Sequence, residues 1–301
     1  METAAIDYRK KGVAFHYIYK ALAHPEHNGY VQPFTQQERL LHVAEAKRTL
    51  GSSIEWLCDN MKNELKQALG GAPNSQFILD PQGKIISASS WSNPAELRAT
   101  LAELVGEVSP ATTVPDLGLN QLPPPQPAAK GIVPRLQMPG VMRAIVVKPQ
   151  PSLEPYYVKL RAEIDESFMR DGLGWMYIGF HLDPLLGVHW NNLAPALQFK
   201  VRTPTGITVA ASKAVAAKVD LEADADPREF LLGLEWDSKE LSSASFSSAE
   251  LIVEVEYYAC HDEGWCKPFQ QSYILKLVPD RHAGSVRNRG RVGGGRSFRD
   301  R

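Results

Sequence analysis

Two of the three cysteines in this 301-residue chain, Cys260 and Cys266, lie close together with five residues between them. The intervening HDEGW contains a glycine and predicts a tight turn. The flanking residues alternate, as in two half-buried strands, with apolar side chains on one parity: Leu251, Val253, Val255 and Tyr257 before the turn, and Phe269, Tyr273, Leu275 and Leu277 after it. Facing residues of such a hairpin lie about 4.5–5.5 Å apart, within reach of a disulfide. The chemistry open to this pair is thiol–disulfide exchange.

Other roles for Cys260 and Cys266 are possible. A structural disulfide that closes so short a loop contributes roughly 2–2.5 kcal/mol in the loop-closure model, and a hairpin already holds its ends together. A β-sandwich of about 140 residues, which we predict below for the C-terminal part of the chain, does not depend on such a bond. Zinc is disfavoured, because C-x5-C is not a usual ligand spacing even with His261 and Asp262 close by. We therefore favour a redox pair without a metal or cofactor; a structural disulfide, free thiols and a metal site stay open as alternatives.

The residues of the turn would tune the two thiols. A protonated His261 would lower the pKa of a neighbouring thiol, whereas Asp262 and Glu263 would raise it. These three residues are also the kind that fill a solvated turn. The sequence leaves open which cysteine attacks.

Two further features carry polar or reactive groups. Cys58 follows Ile54, Trp56 and Leu57 in an apolar segment, which predicts a buried core thiol. The cluster His189-Trp190-Asn191-Asn192 combines polar and aromatic side chains, and we interpret it as a loop.

Composition limits the class of protein. With 44% hydrophobic and 22% charged residues the chain has the balance of an ordinary globular protein, and its length allows two domains. A formal net charge of −1 argues against a nucleic-acid partner. No apolar run approaches the length of about 18 residues that a membrane span needs, so we expect no membrane insertion. The first residues lack the apolar core of a signal peptide.

The first hundred residues alternate between helix and strand signals. Thr35-Gln-Gln-Glu38 is a capping box, Gly51 is a helix stop, and Asn93 with Pro94 is a helix start. The predicted elements are a helix over 2–11, a strand over 13–19, a helix over 35–50, a strand over 54–58, a helix over 61–69, strands over 76–80 and 84–88, and a helix over 94–105. This order predicts a layered α/β sheet whose closing strand–strand–helix unit is typical of a thioredoxin-like fold.

The segment YIYKALAHPEHNGY resembles the strand and loop of the iodothyronine deiodinase and redoxin families, in which Ala-His-Pro is followed by Asp-Gly-Trp; here Asn28-Gly29-Tyr30 takes that place. ERLLHVAEA, CDNMKN and APNSQFILDPQGKI follow in the family's order, so the similarity covers about residues 5–105. The resemblance implies a thioredoxin-like fold and a catalytic role for His24. It also places the family's reactive selenocysteine or cysteine upstream of the first strand, so we expect this chain to lack the nucleophile.

Residues 107–139 contain eight prolines and predict a stiff linker. Beyond it, short strands separated by turns indicate an antiparallel sandwich: VMRAIVV, YYVKLRAEI, GWMYIGFHL, ALQFKVRTP, REFLLGLEW, LIVEVEYYA and QSYILKLV. Residues 280–301 carry seven arginines and little hydrophobicity, which predicts a disordered tail.

The hairpin YYACHDEGWCKPF resembles the active-site hairpin of the immunoglobulin-like N-terminal domain of the thiol:disulfide interchange protein DsbD. That family has two cysteines with five residues between them, preceded by an aromatic-rich strand and followed closely by proline, as Pro268 is here. The similarity covers about residues 140–279. It implies an immunoglobulin-like fold with a redox-active cysteine pair.

We therefore predict a thioredoxin-like α/β domain, N-terminally incomplete, over 1–106, a linker over 107–139, an all-β immunoglobulin-like sandwich over 140–279 and a tail over 280–301. The expected function is thiol:disulfide oxidoreduction or electron relay through Cys260 and Cys266. The expected partner is a redox protein, either thioredoxin-like or a disulfide-bearing client. The alternatives are a non-catalytic protein-binding scaffold and a truncated deiodinase- or peroxidase-type redoxin.

Compartment depends on the N-terminus. The chain as written predicts a cytoplasmic protein. A truncated N-terminus would predict a periplasmic or other extracytoplasmic protein, and we favour this second expectation because the relatives of the cysteine hairpin act there.

Overall fold

The structure is a computed structural model, and it describes residues 1–22, 25–119, 122, 130–237, 239 and 247–283. The chain divides into two compact units. The first comprises Met1–Ala23 and Pro33–Pro124, and the second comprises His24–Gln32 and Pro125–Arg301. Within the described ranges, no helix has the length and hydropathy needed to cross a membrane.

The first unit contains the helices and strands that the sequence predicts, in the predicted order. They are α1 (Glu2–Arg9), β1 (His16–Tyr19), α2 (Gln36–Leu50), β2 (Glu55–Cys58), α3 (Glu64–Leu69), β3 (Gln76–Leu79), β4 (Ile85–Ser89), α4 (Pro94–Val105) and a 3-10 turn at Pro115–Leu117. The capping box of α2 is confirmed, since Thr35 Oγ1 accepts the Glu38 N–H at 3.1 Å. Gly51 ends that helix in the left-handed conformation, as predicted.

The strands of the first unit do not form the predicted layered sheet. β1 pairs with β2 in parallel and β3 pairs with β4 antiparallel, and no ladder joins these two pairs among the described residues. Tyr19 is the one residue of the four strands that is buried. The unit's apolar core instead lies between α1 and α4, where Ala4, Tyr8, Leu97 and Leu101 pack together. A thioredoxin-like fold is therefore not shown for this unit, although its elements match the prediction.

The second unit is mostly β, as predicted. Its strands are β5 (Met142–Pro149), β6 (Val158–Asp165), β7 (Leu173–Leu182), β8 (Val188–Asn191), β9 (Gln198–Arg202), β10 (Ile207–Val209), β11 (Lys213–Val215), β12 (Ala223–Asp224), β13 (Arg228–Trp236), β14 (Glu250–His261) and β15 (Trp265–Pro279). One short helix, α5 (Glu166–Asp171), and 3-10 turns at Pro25–Asn28 and Pro184–Leu186 complete the described part.

These strands form an eleven-stranded antiparallel sheet over the described residues, in the order β10-β13-β7-β6-β5-β15-β14-β8-β12, with β9 beside β14 and β11 outside β9. β5 pairs with β6 through Met142–Ala144 and with β15 through residues 145–149, so it passes from one half of the sheet to the other. The two halves pack face to face, and the rings of Phe180 on β7 and Phe199 on β9 lie 5.4 Å apart. The fold is β-sandwich-like.

The outer face of β6 is charged and yet buried. Every residue of the strand is buried, including Lys159, Arg161, Glu163 and Asp165. Arg161 lies between two carboxylates: its Nη1 is 2.9 Å from Glu26 and its Nε is 2.5 Å from Glu163. Because burial of an isolated charge is costly, this arrangement depends on the pairing of opposite charges.

A second ion pair, between Arg135 and Glu229, fixes residues 130–138 on the same half of the sandwich. The Arg135 guanidinium lies 2.6 Å from the Glu229 carboxylate, which also accepts the Leu136 N–H and the Tyr177 hydroxyl. Burial raises the pKa of Glu229, but these donors outweigh burial and lower the pKa to about 2. The end of the proline-rich linker is thus part of the sandwich.

Candidate active site

The predicted cysteine hairpin is present. β14 and β15 pair from Glu250↔Lys276 to His261↔Trp265, and Cys260 stands directly opposite Cys266. The two sulfurs form a disulfide, and the Cα atoms are 4.0 Å apart. The predicted apolar parity is confirmed, since all eight of its residues are buried.

The two cysteines differ in exposure because their strands have different neighbours. Cys260 lies on β14 between β15 and β8, and it is 8% exposed. Cys266 lies on β15, whose pairing with β5 covers only residues 273–279, and it is exposed. Cys266 is therefore the more accessible of the two cysteines.

The side chain of His261 lies on the opposite side of the hairpin from the disulfide. It follows Cys260 directly, so its side chain projects from the opposite face of β14. Its ring stacks on Trp265 at 5.3 Å, and its Nδ1 accepts the Glu263 N–H at 3.0 Å. His261 therefore does not share a face with Cys260, and its effect on the thiols stays a prediction.

His189 lies on the disulfide face instead. β8 pairs with β14 so that His189 stands directly opposite Cys260. The prediction of a loop at 189–192 was wrong for its first three residues, because β8 extends over Val188–Asn191. The burial of this strand alternates, with Val188 and Trp190 buried and His189 and Asn191 half-buried. The matching alternation of apolar and polar residues in the sequence is the signal that could have identified the strand.

The hairpin turn brings a carboxylate to His189. The Asp262 N–H donates to the Gly187 carbonyl at 3.1 Å, which holds the turn against the start of β8. Asp262 Oδ1 then lies 3.4 Å from His189 Nδ1. Gly187 has φ +61°, and a Cβ there would lie 3.2 Å from His261 Nε2, so the close approach of turn and strand favours glycine.

On the other face of the hairpin, aromatic side chains hold its end together. The Tyr157 ring lies 5.3 Å from Trp265 and 5.1 Å from Phe269, and Tyr257 stacks on Phe269 at 5.2 Å. Lys267 lies over the Trp265 and Phe269 rings, 5.1 Å from each centroid. Contacts of this kind stabilise a hairpin independently of any bond between its cysteines.

A groove of about 360 Å³ lies on the β8 side of the hairpin, and neither cysteine lines it. Its lining includes Tyr258, two residues from Cys260, and Asn191, two residues from His189. The apolar side chains of Leu193, Leu197 and Val215 also line it. Leu193 is 78% exposed and Val215 is 63% exposed. The groove is therefore an open surface with both apolar and polar side chains.

The other predicted residues lie elsewhere. Cys58 ends β2 in the first unit and is half-buried, where the sequence predicted full burial. Burial raises the pKa of its thiol, and Gln36 Nε2 donates to its sulfur at 3.3 Å. His24 lies outside the described residues, as do residues 284–301 of the predicted tail. The described residues contain no group of three or more His, Cys, Asp or Glu side chains able to hold a metal.

Comparison of the chain with protein-family models and with curated protein sequences gives no match.

Proposed function

We propose that this protein exchanges electrons with a partner protein through the Cys260–Cys266 disulfide. The observation that carries the proposal is the asymmetry of the pair: one cysteine is exposed at the edge of the hairpin and the other is buried. In thiol–disulfide exchange a partner thiolate attacks one sulfur and the second sulfur leaves. From their exposure we assign Cys266 as the sulfur that is attacked and Cys260 as the sulfur that leaves.

A purely structural role for the bond is less well supported. Closure of this short loop contributes roughly 2–2.5 kcal/mol in the chain-entropy model. The sulfurs join strands that already pair along their whole facing length, and the aromatic cluster stabilises the same end of the hairpin. A bond that adds so little stability can be reduced without loss of the fold. A client polypeptide would find an open groove on the β8 side of the hairpin, lined by Tyr258 and Asn191.

We further propose that the second unit is an immunoglobulin-like domain of the DsbD N-terminal type, acting in the periplasm or another extracytoplasmic compartment. The β-sandwich-like fold and the cysteine hairpin support this assignment. For the first unit we propose a thioredoxin-like origin, supported by the order of its helices and strands. The partner would be a thioredoxin-like protein or a disulfide-bearing client.

The proposal is tested by mixing the oxidised chain with a reduced thioredoxin-type protein at about neutral pH. The chain carries Cys58→Ser, so that only Cys260 and Cys266 report. After acid quenching and alkylation, mass spectrometry should show the pair becoming reduced as the partner dithiol becomes oxidised, one for one. The same chain unfolded in urea is the control. A pair that reacts only when unfolded would mean that the native disulfide is structural.

A further inference from the structure

We infer that His189 is the acid–base residue of the disulfide exchange and that Asp262 is its positioning residue. The inference rests on the proposed function and adds two residues to it. Its basis is a juxtaposition: the register of β8 and β14 sets the imidazole opposite the buried cysteine, and the hairpin turn sets a carboxylate beside the imidazole.

The side chain of His189 is well placed for this role. Facing residues on paired strands project from the same side of the sheet, about 4.5–5.5 Å apart at Cβ, so the ring stands beside the Cys260 side chain. The His189 side chain is 20% exposed and its Nδ1 is buried. That nitrogen forms no ordinary hydrogen bond within the described part of the chain, and Asp262 Oδ1 is 3.4 Å away. The carboxylate can therefore hold the orientation of the ring through this nitrogen.

Few other titratable groups face the ring. On β14 they are Cys260 and, two residues earlier on the same face, Tyr258. β12 places Asp224 opposite Trp190, on the other face of β8 from His189, and the Asp224 carboxylate is paired with Arg228 at 2.7 Å. Glu263 in the turn is exposed. Asp262 is therefore the carboxylate that interacts with the His189 ring.

The chemical step balances as follows. The thiolate of a partner protein attacks Cys266 Sγ and forms a mixed disulfide with it. The Cys260–Cys266 bond breaks, and its electron pair passes to Cys260 Sγ. The His189 imidazolium stabilises that thiolate as an ion pair, in which the ring and the Cys260 sulfur share one proton. A second thiol of the partner then attacks its own sulfur in the mixed disulfide and releases Cys266, so that the partner dithiol is oxidised and this pair is reduced.

The experiment uses the full chain with Cys58→Ser and compares His189→Gln, His189→Asn, Asp262→Asn and, as the matched control, His261→Gln. The first readout is the rate of reduction of the disulfide by dithiothreitol between about pH 5 and pH 9, the range in which histidines change charge. The second readout is the thiolate absorbance of the fully reduced protein as the pH is raised. Thermal unfolding verifies that each variant is folded.

Both His189 variants should slow reduction about tenfold at the acidic end of the range, the effect of moving a thiol pKa by about one unit. The ratio of the wild-type rate to the variant rate should approach one towards the alkaline end, where an imidazole is neutral. Asp262→Asn should lie between wild type and His189→Gln, and His261→Gln should match wild type within about twofold. The thiolate titration should shift to higher pH in the His189 variants alone.

Equal rates and equal thiolate titrations for wild type and both His189 variants would overturn the inference while leaving the exchange itself intact. A native disulfide that no thiol reduces would instead contradict the proposed function. The thiolate titration separates these outcomes because it is measured on reduced protein.

Discussion

A chain in which serine replaces Cys266 is expected to lose disulfide transfer by at least about a thousandfold, as expected when the reacting atom itself is removed. The assay starts from reduced protein and adds glutathione disulfide. The wild-type pair should release two glutathione molecules per chain and form its own disulfide. The Cys266→Ser variant should release almost none, because the remaining Cys260 is 8% exposed and faces β8.

The reciprocal variant distinguishes the roles of the two sulfurs. Cys260→Ser keeps the exposed Cys266, so it should release one glutathione and stop as a stable mixed disulfide on Cys266. Cys58→Ser is the matched control and should behave as wild type, since burial raises the pKa of the Cys58 thiol and disfavours its reactive form. Equal reaction of the Cys260→Ser and Cys266→Ser variants would contradict the assignment of Cys266 as the sulfur that reacts with the partner.

Replacement of Arg161 by methionine is expected to have the largest effect on stability. The guanidinium lies between Glu26 and Glu163, and the Glu163 side chain is fully buried. Removal of one partner from a buried ion pair leaves the remaining charge in a medium of low polarity, which costs about 3–5 kcal/mol. Methionine fills a similar volume, so that lost packing contributes little.

Urea unfolding, followed by a signal from the second unit, measures this loss of stability. Arg170→Met is the control, because Arg170 pairs with Asp171 on the surface with both side chains more than half exposed. Such pairs contribute about 0–1 kcal/mol. A loss for Arg161→Met no larger than that for Arg170→Met would mean that water, rather than the Arg161 guanidinium, compensates the two carboxylates.

Local signals in the sequence were sufficient for many elements. The capping box at Thr35 and the stop at Gly51 predict α2 because each requires only neighbouring residues. The same is true of the cysteine hairpin, whose period-two pattern and five-residue separation predict strands that place the two cysteines opposite each other, as observed.

Contacts between distant segments could not be predicted in this way. β8 is four residues long and carries polar side chains, and its place depends on β14, about seventy residues later in the chain. The charged face of β6 alternates as a solvated strand would. Its burial depends on remote residues such as Glu26, which pairs with Arg161 on this strand.

The first unit illustrates a further limit. Its order of elements predicts one layered sheet, but the order does not state which strands pair. Strands of four or five residues with almost no buried side chain provide little apolar area to draw β1–β2 and β3–β4 together.

The most direct test of the central claim is the equilibrium reduction potential of the Cys260–Cys266 pair in the native chain, measured in graded thiol–disulfide buffers. We expect a value between about −120 and −270 mV, the range of pairs that exchange with partner proteins. A potential below about −300 mV, typical of structural bonds, would contradict the account.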